Sequence, residues 1–194
     1  LVAAGGAVYL NMGTLLPVYR ETLPRTAAAA FKSGKPWVLD PVGIGIGQLR
    51  SDLLLELKQY KPAIVRGNAS EIIALASLWG IEANACESSR PRGVDTTDTV
   101  EAARDAAAAL ARYTGGAVAV SGKKDLVTDG EKVAYSEGGS ELMEKVTGFG
   151  CSQGGVLAVY ATATNPFTAA LAAVAHYNVA GSRAAKVADA PASF

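Results

Sequence analysis

Four short apolar runs, each ending in a polar or charged residue, alternate with longer amphipathic stretches along this chain. Residues 7–11, 36–40, 63–66 and 117–121 have the length and apolar character of buried strands. Residues 17–33 (ending at Gly34), 49–59, 69–79 (stopped by Gly80) and 98–113 carry a helical period. Residues 84–97 are polar and turn-rich, which predicts a loop. Residues 126–128 and 132–135 flank Asp129-Gly130, a hairpin signal. Two more helices are expected over 151–163 and 166–189, the second capped by Asn165 with Pro166 at its first position. Strands alternating with helices predict an α/β fold, with a largely parallel sheet covered on both faces. Ligands of such sheets sit beyond the carboxyl ends of the strands. The residues to watch are therefore Asn11, Asp40, Arg66 and Ser121.

Composition narrows the function. A chain of 194 residues, 49% of them apolar, suits one domain with a sizeable core. Lys plus Arg equals Asp plus Glu, 18 each, so no basic stripe exists for nucleic acid. The alanine-rich run 169–175 is too short to span a membrane. No basic leader with a cleavage site is visible, and the expected location is the cytoplasm. Cys86 and Cys151 lie far apart without a CxxC context and are expected to stay reduced. His176, the single histidine, cannot complete a zinc site with them, and reads as a core or interface residue. A bound metal should be a hard cation held by carboxylates and phosphate.

Lys145-Val146-Thr147-Gly148-Phe149-Gly150-Cys151 precedes an apolar helical run. Backbone N–H groups at such a helix start can face an anion, and the helix dipole adds to the attraction. Cys151, if not merely a buried small hydrophobe, would share that turn as a reactive group. Gly13, in Asn11-Met12-Gly13-Thr14-Leu15, either permits close approach of a small ligand or closes a plain turn. Asp40 begins a stretch with Gly43, Gly45 and Gly47. The third glycine of G-x-G-x-x-G falls at Gln48, so a dinucleotide loop is poorly supported. Asp40 could hold Mg²⁺ through water or cap a turn. Asn68 and Glu71 have capping-box spacing. Beyond that, Arg66 could meet phosphate and Glu71 could meet Mg²⁺ or its waters. An arginine directly after an apolar strand must be paired to offset its desolvation. Ser121 could bond a phosphate or sit in an ordinary turn. A Walker A loop is absent, since Gly34-Lys35 is followed by Pro36.

Taken in order, NMGTL (11–15), PWVLDPVG (36–43), VRGNASEI (65–72), GVDTTD (93–98), AVSGKKDLVTDG (119–130) and KVTGFGC (145–151) resemble the hydroxyethylthiazole kinases. These belong to the ribokinase-like superfamily, most of whose members carry Asp where Cys151 stands. The resemblance implies a three-layer α/β/α sandwich with a mostly parallel central sheet, as a single domain over residues 1–194. It also implies ATP-dependent, Mg²⁺-assisted phosphorylation of 4-methyl-5-(2-hydroxyethyl)thiazole by a homotrimer with the thiazole between subunits. Under it Cys151 accepts the alcohol proton, Gly148 and Gly150 frame the anion hole, and Arg66 and Ser121 contact ATP phosphates. Asp40 and Glu71 organise Mg²⁺, while Met12, Gly13 and Gly148 line the thiazole pocket. There are departures. The family's N-terminal H-x-x-T-N and A-x-P-x-M stretches have no counterpart, so terminal family segments are expected to be missing. Phe149 replaces a small residue beside the anion hole and could crowd ATP. The loop after Asp40 reads GIGIGQLR instead of G-x-G-A-T-x-x-R. The tail reads Ala190-Pro191-Ala192-Ser193-Phe194 where the family has G-P-G-S-F. The alternatives are a catalytically impaired kinase-like protein with a binding or assembly role, or a kinase for another small alcohol.

Overall fold

A computed structural model describes residues 2–81 and 96–194. The elements follow the expected alternation: β1 (Val8–Asn11), α1 (Tyr19–Lys32), β2 (Trp37–Asp40), α2 (Gln48–Leu57), β3 (Ile64–Asn68), α3 (Ala69–Leu78) and α4 (Thr96–Thr114). Then come β4 (Ala117–Ser121), β5 (Asp125–Thr128), β6 (Val133–Ser136), α5 (Leu142–Lys145), α6 (Phe149–Tyr160) and α7 (Pro166–Ala184). Residues 84–95 of the expected loop, Cys86 and the first half of GVDTTD lie outside the described residues, while residues 96 and 97, expected as loop, already belong to α4.

The six strands stand in chain order in one sheet. β1 to β4 are parallel, while β5 and β6 add antiparallel as the hairpin around Asp129-Gly130. Every parallel step moves the same way along the sheet. Right-handed crossovers therefore put α1 to α4 on one face. The other face is left for α6, which packs on β1 and β2, and α7, which packs on β4 to β6. The expected three-layer sandwich with a mostly parallel sheet is what forms.

Strand periodicity divides the core between the two faces. Leu10, Trp37, Leu39, Val65, Val118 and Val120 pack toward α1–α4. Val38, Ile64, Ala117 and Ala119 pack toward α6 and α7. Side chains repeat on one face every second residue. Asp40 thus follows Val38, Arg66 follows Ile64 and Ser121 follows Ala119 on the α6–α7 face. The pairings Asn11↔Asp40 and Val38↔Ile64 align these positions across neighbouring strands.

The boundaries differ from the sequence expectation in informative places. α6 starts at Phe149, two residues earlier than expected, because Gly148 adopts φ +85° and turns the chain into the helix as its N-cap. α7 ends at Ala184, short of residue 189. The short helix α5 was not expected; one turn of four residues carries too little periodicity to show.

Candidate active site

The site begins with a buried ion pair. Asp40 is wholly buried and Arg66 nearly so, with Arg66 Nη1 3.3 Å from Asp40 Oδ2. A buried pair survives desolvation only when its remaining hydrogen-bonding capacity is also used. Here it is. Asp40 Oδ2 also lies 3.2 Å from Asn11 Nδ2 and 3.0 Å from the Tyr9 hydroxyl, and Oδ1 accepts the Val42 N–H at 3.1 Å. Arg66 Nη2 donates to Ser121 Oγ at 3.2 Å and Nε to Gln153 Oε1 at 3.4 Å. Among the described residues no buried side-chain polar atom lacks a partner.

Above the pair sits the start of α6. A helix leaves its first N–H groups without intrahelical acceptors. One of them is used, since the Phe149 N–H bonds the Val146 carbonyl; the Ser152 N–H to the Gly148 carbonyl is the first bond of the helical ladder. Among the described residues, no acceptor faces the N–H groups of Gly150 and Cys151, and no side chain caps the helix. Two free donors, the positive end of a twelve-residue helix and the Arg66 guanidinium meet at this point. The two glycines have different reasons. Gly148 supplies the left-handed turn, whereas a Cβ at Gly150 would come within 2.6 Å of Arg66 Nη2. Cys151, a free and partly exposed thiol, occupies the first turn beside these donors.

The predicted residues are not all used as expected. Asp40, Arg66, Ser121, Gly150 and Cys151 do come together. Asp40 Oδ2 is shared by Arg66, Asn11 and Tyr9, while Oδ1 accepts only the Val42 N–H. Glu71 forms the capping box: Oε2 accepts the Asn68 N–H at 2.9 Å, and Asn68 Oδ1 accepts the Glu71 N–H. Its second oxygen has no hydrogen-bond partner among the described residues. Of the two carboxylates, Glu71 thus has an oxygen with no protein donor, whereas each Asp40 oxygen has at least one. Among the described residues no cluster of three metal-ligating side chains forms.

Gly13 closes a turn: its N–H bonds Asn11 Oδ1 at 2.8 Å, and a Cβ would press on that oxygen. The Met12 side chain is fully buried in the core on the α1–α4 face, opposite to Arg66 and Ser121. Expecting it beside Gly13 in a ligand pocket ignored strand alternation, which sends neighbouring side chains to opposite faces. The Phe149 ring rests on Tyr177 (centroids 4.8 Å apart) and Phe194 (5.4 Å), so α7 and the tail hold it.

Sequence reasoning missed Tyr9, Gln153 and Arg50. Tyr9 had a signal, since it lies two residues before Asn11 on the same strand face. Gln153 had a weaker signal, as one of two adjacent polar residues, with Ser152, in an otherwise apolar helix start. Arg50 bonds the carbonyls of Met12 and Gly13, both at 2.9 Å, and that of Ile46. It clamps the turns after β1 and β2 together, a role no local pattern announces.

Comparison with known proteins adds an independent line. A family model described as Hydroxyethylthiazole kinase family matches residues 1–194. The hydroxyethylthiazole kinase of Bifidobacterium longum strain DJO10A is 47% identical over 206 residues, covering 97% of this chain and 66% of its own length. That of Roseobacter denitrificans is 43% identical over 189 residues, covering 97% and 70%. The chain thus spans about two thirds of the length of such curated relatives. The structure of the Pyrococcus horikoshii OT3 hydroxyethylthiazole kinase protein superposes with a TM-score of 0.86 at 30% identity, over 100% of this chain and 69% of that one. A Staphylococcus aureus pyridoxal kinase solved with pyridoxal reaches 0.63 at 18% identity, over 93% of this chain and 64% of its own, and shares the fold alone.

Proposed function

The chain belongs to the hydroxyethylthiazole kinase family, and we propose that it carries out ATP-dependent phosphorylation of the hydroxyl of 4-methyl-5-(2-hydroxyethyl)thiazole, in thiamine biosynthesis or salvage. The observation that carries the proposal is the start of α6, where two unpartnered N–H groups, Arg66 and Cys151 converge. Phosphoryl transfer needs little covalent chemistry from a protein. It needs donors aimed where negative charge spreads and a group to receive the alcohol proton. The N–H groups of Gly150 and Cys151, with the guanidinium of Arg66, supply the donors. In the reaction the alcohol oxygen bonds the γ-phosphorus of ATP, the bond to the bridging oxygen breaks, and ADP leaves. Cys151 is the group assigned to take the alcohol proton.

Mg²⁺, when bound to the nucleotide, supplies further neutralisation of phosphate charge. On this chain the open oxygen of Glu71 suits the cation or its waters, while Asp40 serves by fixing Arg66. Ser121 fixes Arg66 from the other side. The turn at Gly13, held by Asn11 and Arg50, is assigned to the acceptor alcohol. The seating of Phe149 on Tyr177 and Phe194 supports an active site over an impaired one, because the ring is drawn to α7 and the tail. The family resemblance further supports a homotrimer, and we place the enzyme in the cytoplasm. Among the described residues no helix is long and apolar enough to cross a membrane.

The test is ATP turnover with the thiazole alcohol by the full chain, beside Cys151→Ala. Wild type should turn over, and the variant should lose about 10²- to 10⁴-fold in kcat while still binding ATP. Absence of turnover by the folded wild-type protein overturns the proposal. An unchanged kcat in Cys151→Ala removes the cysteine from the mechanism.

A further inference from the structure

Tyr9 projects from β1 onto the first two turns of α6. Its hydroxyl lies 2.6 Å from the Cys151 carbonyl oxygen and 3.0 Å from Asp40 Oδ2, and it accepts a hydrogen bond from Asn11 Nδ2 at 2.8 Å. A hydroxyl has one proton to give and can also accept. The Cys151 carbonyl is the nearer acceptor, while Asp40 already receives Arg66, Asn11 and Val42. Asn11 in turn holds the Gly13 N–H through Oδ1. A continuous chain of hydrogen bonds therefore runs from the Gly13 turn, through Asn11 and Tyr9, to the backbone of Cys151.

The seat for this side chain is built by the sequence of α6. A Cβ at Gly154 would collide with the Tyr9 ring, so the glycine one turn beyond Cys151 is what lets the phenol lie against the helix. The hydroxyl stays protonated: burial, and then the neighbouring Asp40 charge, push its pKa far above the ordinary tyrosine value. From the opposite side Arg66 presses against Gly150 and bonds Gln153. The first turn of α6 is thus gripped between a β1 phenol and a β3 guanidinium.

We propose that Tyr9 is a positioning residue for Cys151, fixing the first turn of α6 relative to the Gly13 turn so that proton acceptor and alcohol are held in register. The Tyr9 hydroxyl is taken up by Asn11, Asp40 and the Cys151 carbonyl. It acts through the carbonyl of the residue assigned the alcohol proton, and through the amide that orders the acceptor turn. Small errors at this point are costly, since a displacement of about 1 Å can lower a rate by about 10²-fold.

The inference rests on the kinase reading, and its test is arranged to fail separately. Tyr9→Phe deletes one oxygen and keeps the ring on Gly154. With the thiazole alcohol and ATP, kcat per folded molecule should fall about tenfold while KM for ATP stays within about twofold. Gly154→Ala, which displaces the ring without removing a polar group, should give the same division between kcat and KM. A Tyr9→Phe kcat within about twofold of wild type, or a loss explained by a smaller folded fraction, overturns the proposal. If wild type shows no turnover, the kinase reading falls and a second measurement decides for Tyr9. Iodoacetamide alkylation of Cys151, followed by peptide-resolved mass spectrometry, should change in rate on Tyr9→Phe. An unchanged alkylation rate in the folded protein overturns it.

Discussion

Two buried polar networks lie on the same face of the sheet, one beneath α6 and one beneath α7, and they are built to different ends. Beneath α7, Asn178 Nδ2 donates to Asp125 Oδ2 at 2.8 Å and to Ser136 Oγ at 3.1 Å, and the Gly122 N–H bonds Asp125 Oδ1 at 2.9 Å. That network fastens the β5–β6 hairpin to a helix middle and closes on itself. Beneath α6, Asp40, Arg66, Ser121, Gln153 and Tyr9 are equally well partnered, yet the network ends at a helix start with two unpartnered N–H groups. The two carboxylates differ accordingly. Asp40 has a guanidinium in contact, whereas Asp125 has an amide, a backbone N–H and only the distant charge of Arg66. Satisfied polar groups alone therefore do not mark a site. What marks it is satisfaction that stops one step short, at donors aimed into solvent.

The largest effect expected from breaking this contrast is at Arg66. Replacing it by Ala leaves Asp40 buried without its cation and should cost about 3–5 kcal/mol in urea unfolding. The folded fraction should show no measurable turnover. Arg66→Lys should not restore activity, because one ammonium cannot reach Asp40, Ser121 and Gln153 together. Equal stability in Arg66→Ala and wild type would show that the ion pair does not organise this face.

A smaller effect is expected from the α7 network, and of the opposite kind. Asn178→Ala removes the donor to Asp125 and Ser136 and should lower stability by about 1–3 kcal/mol. The kcat of the folded protein should be unchanged, since no atom of that network reaches Cys151. A fall in kcat at full folding would erase the distinction between the two networks.

Much of this was legible in the residues. Polar positions at strand ends marked Asp40, Arg66 and Ser121, because period 2 puts each of them on the face of the apolar residue two before it. The glycines and cysteine of 148–151 marked the helix start. What stayed hidden was reciprocity. Asp40 reads equally well as a holder of Mg²⁺ through water or as a turn cap; its pairing with Arg66 is set by the register Val38↔Ile64. Met12 looked like a pocket residue by adjacency to Gly13, but alternation buried it in the opposite core. Tyr9 passed as one more strand aromatic, because its partner, the absent side chain of Gly154, lies far along the sequence.

The smallest effect is a pH dependence expected from Asp125. Burial is the main reason that Asp125 holds its proton to a higher pH than an ordinary aspartate; the bonds from Asn178 and Gly122 and the charge of Arg66 only partly oppose it. The unfolded chain releases that proton near the reference value of about 3.9. Between this value and the raised one in the folded state, the native protein binds more protons than the unfolded chain. Stability contributed by this group is therefore complete below the unfolded pKa and declines as pH rises through the folded one, by at most about 1.4 kcal/mol per pH unit. Urea midpoints measured from pH 4 upward should show that decline superposed on the other titrations. Asp125→Asn removes the ionisation and should flatten it, at the expense of one bond, since both Asp125 oxygens accept from donors. The variant should be less stable than wild type near pH 4 and closer to it at higher pH. Parallel curves for the two proteins would mean that Asp125 titrates alike in both states, and that burial beneath α7 does not disfavour its charge.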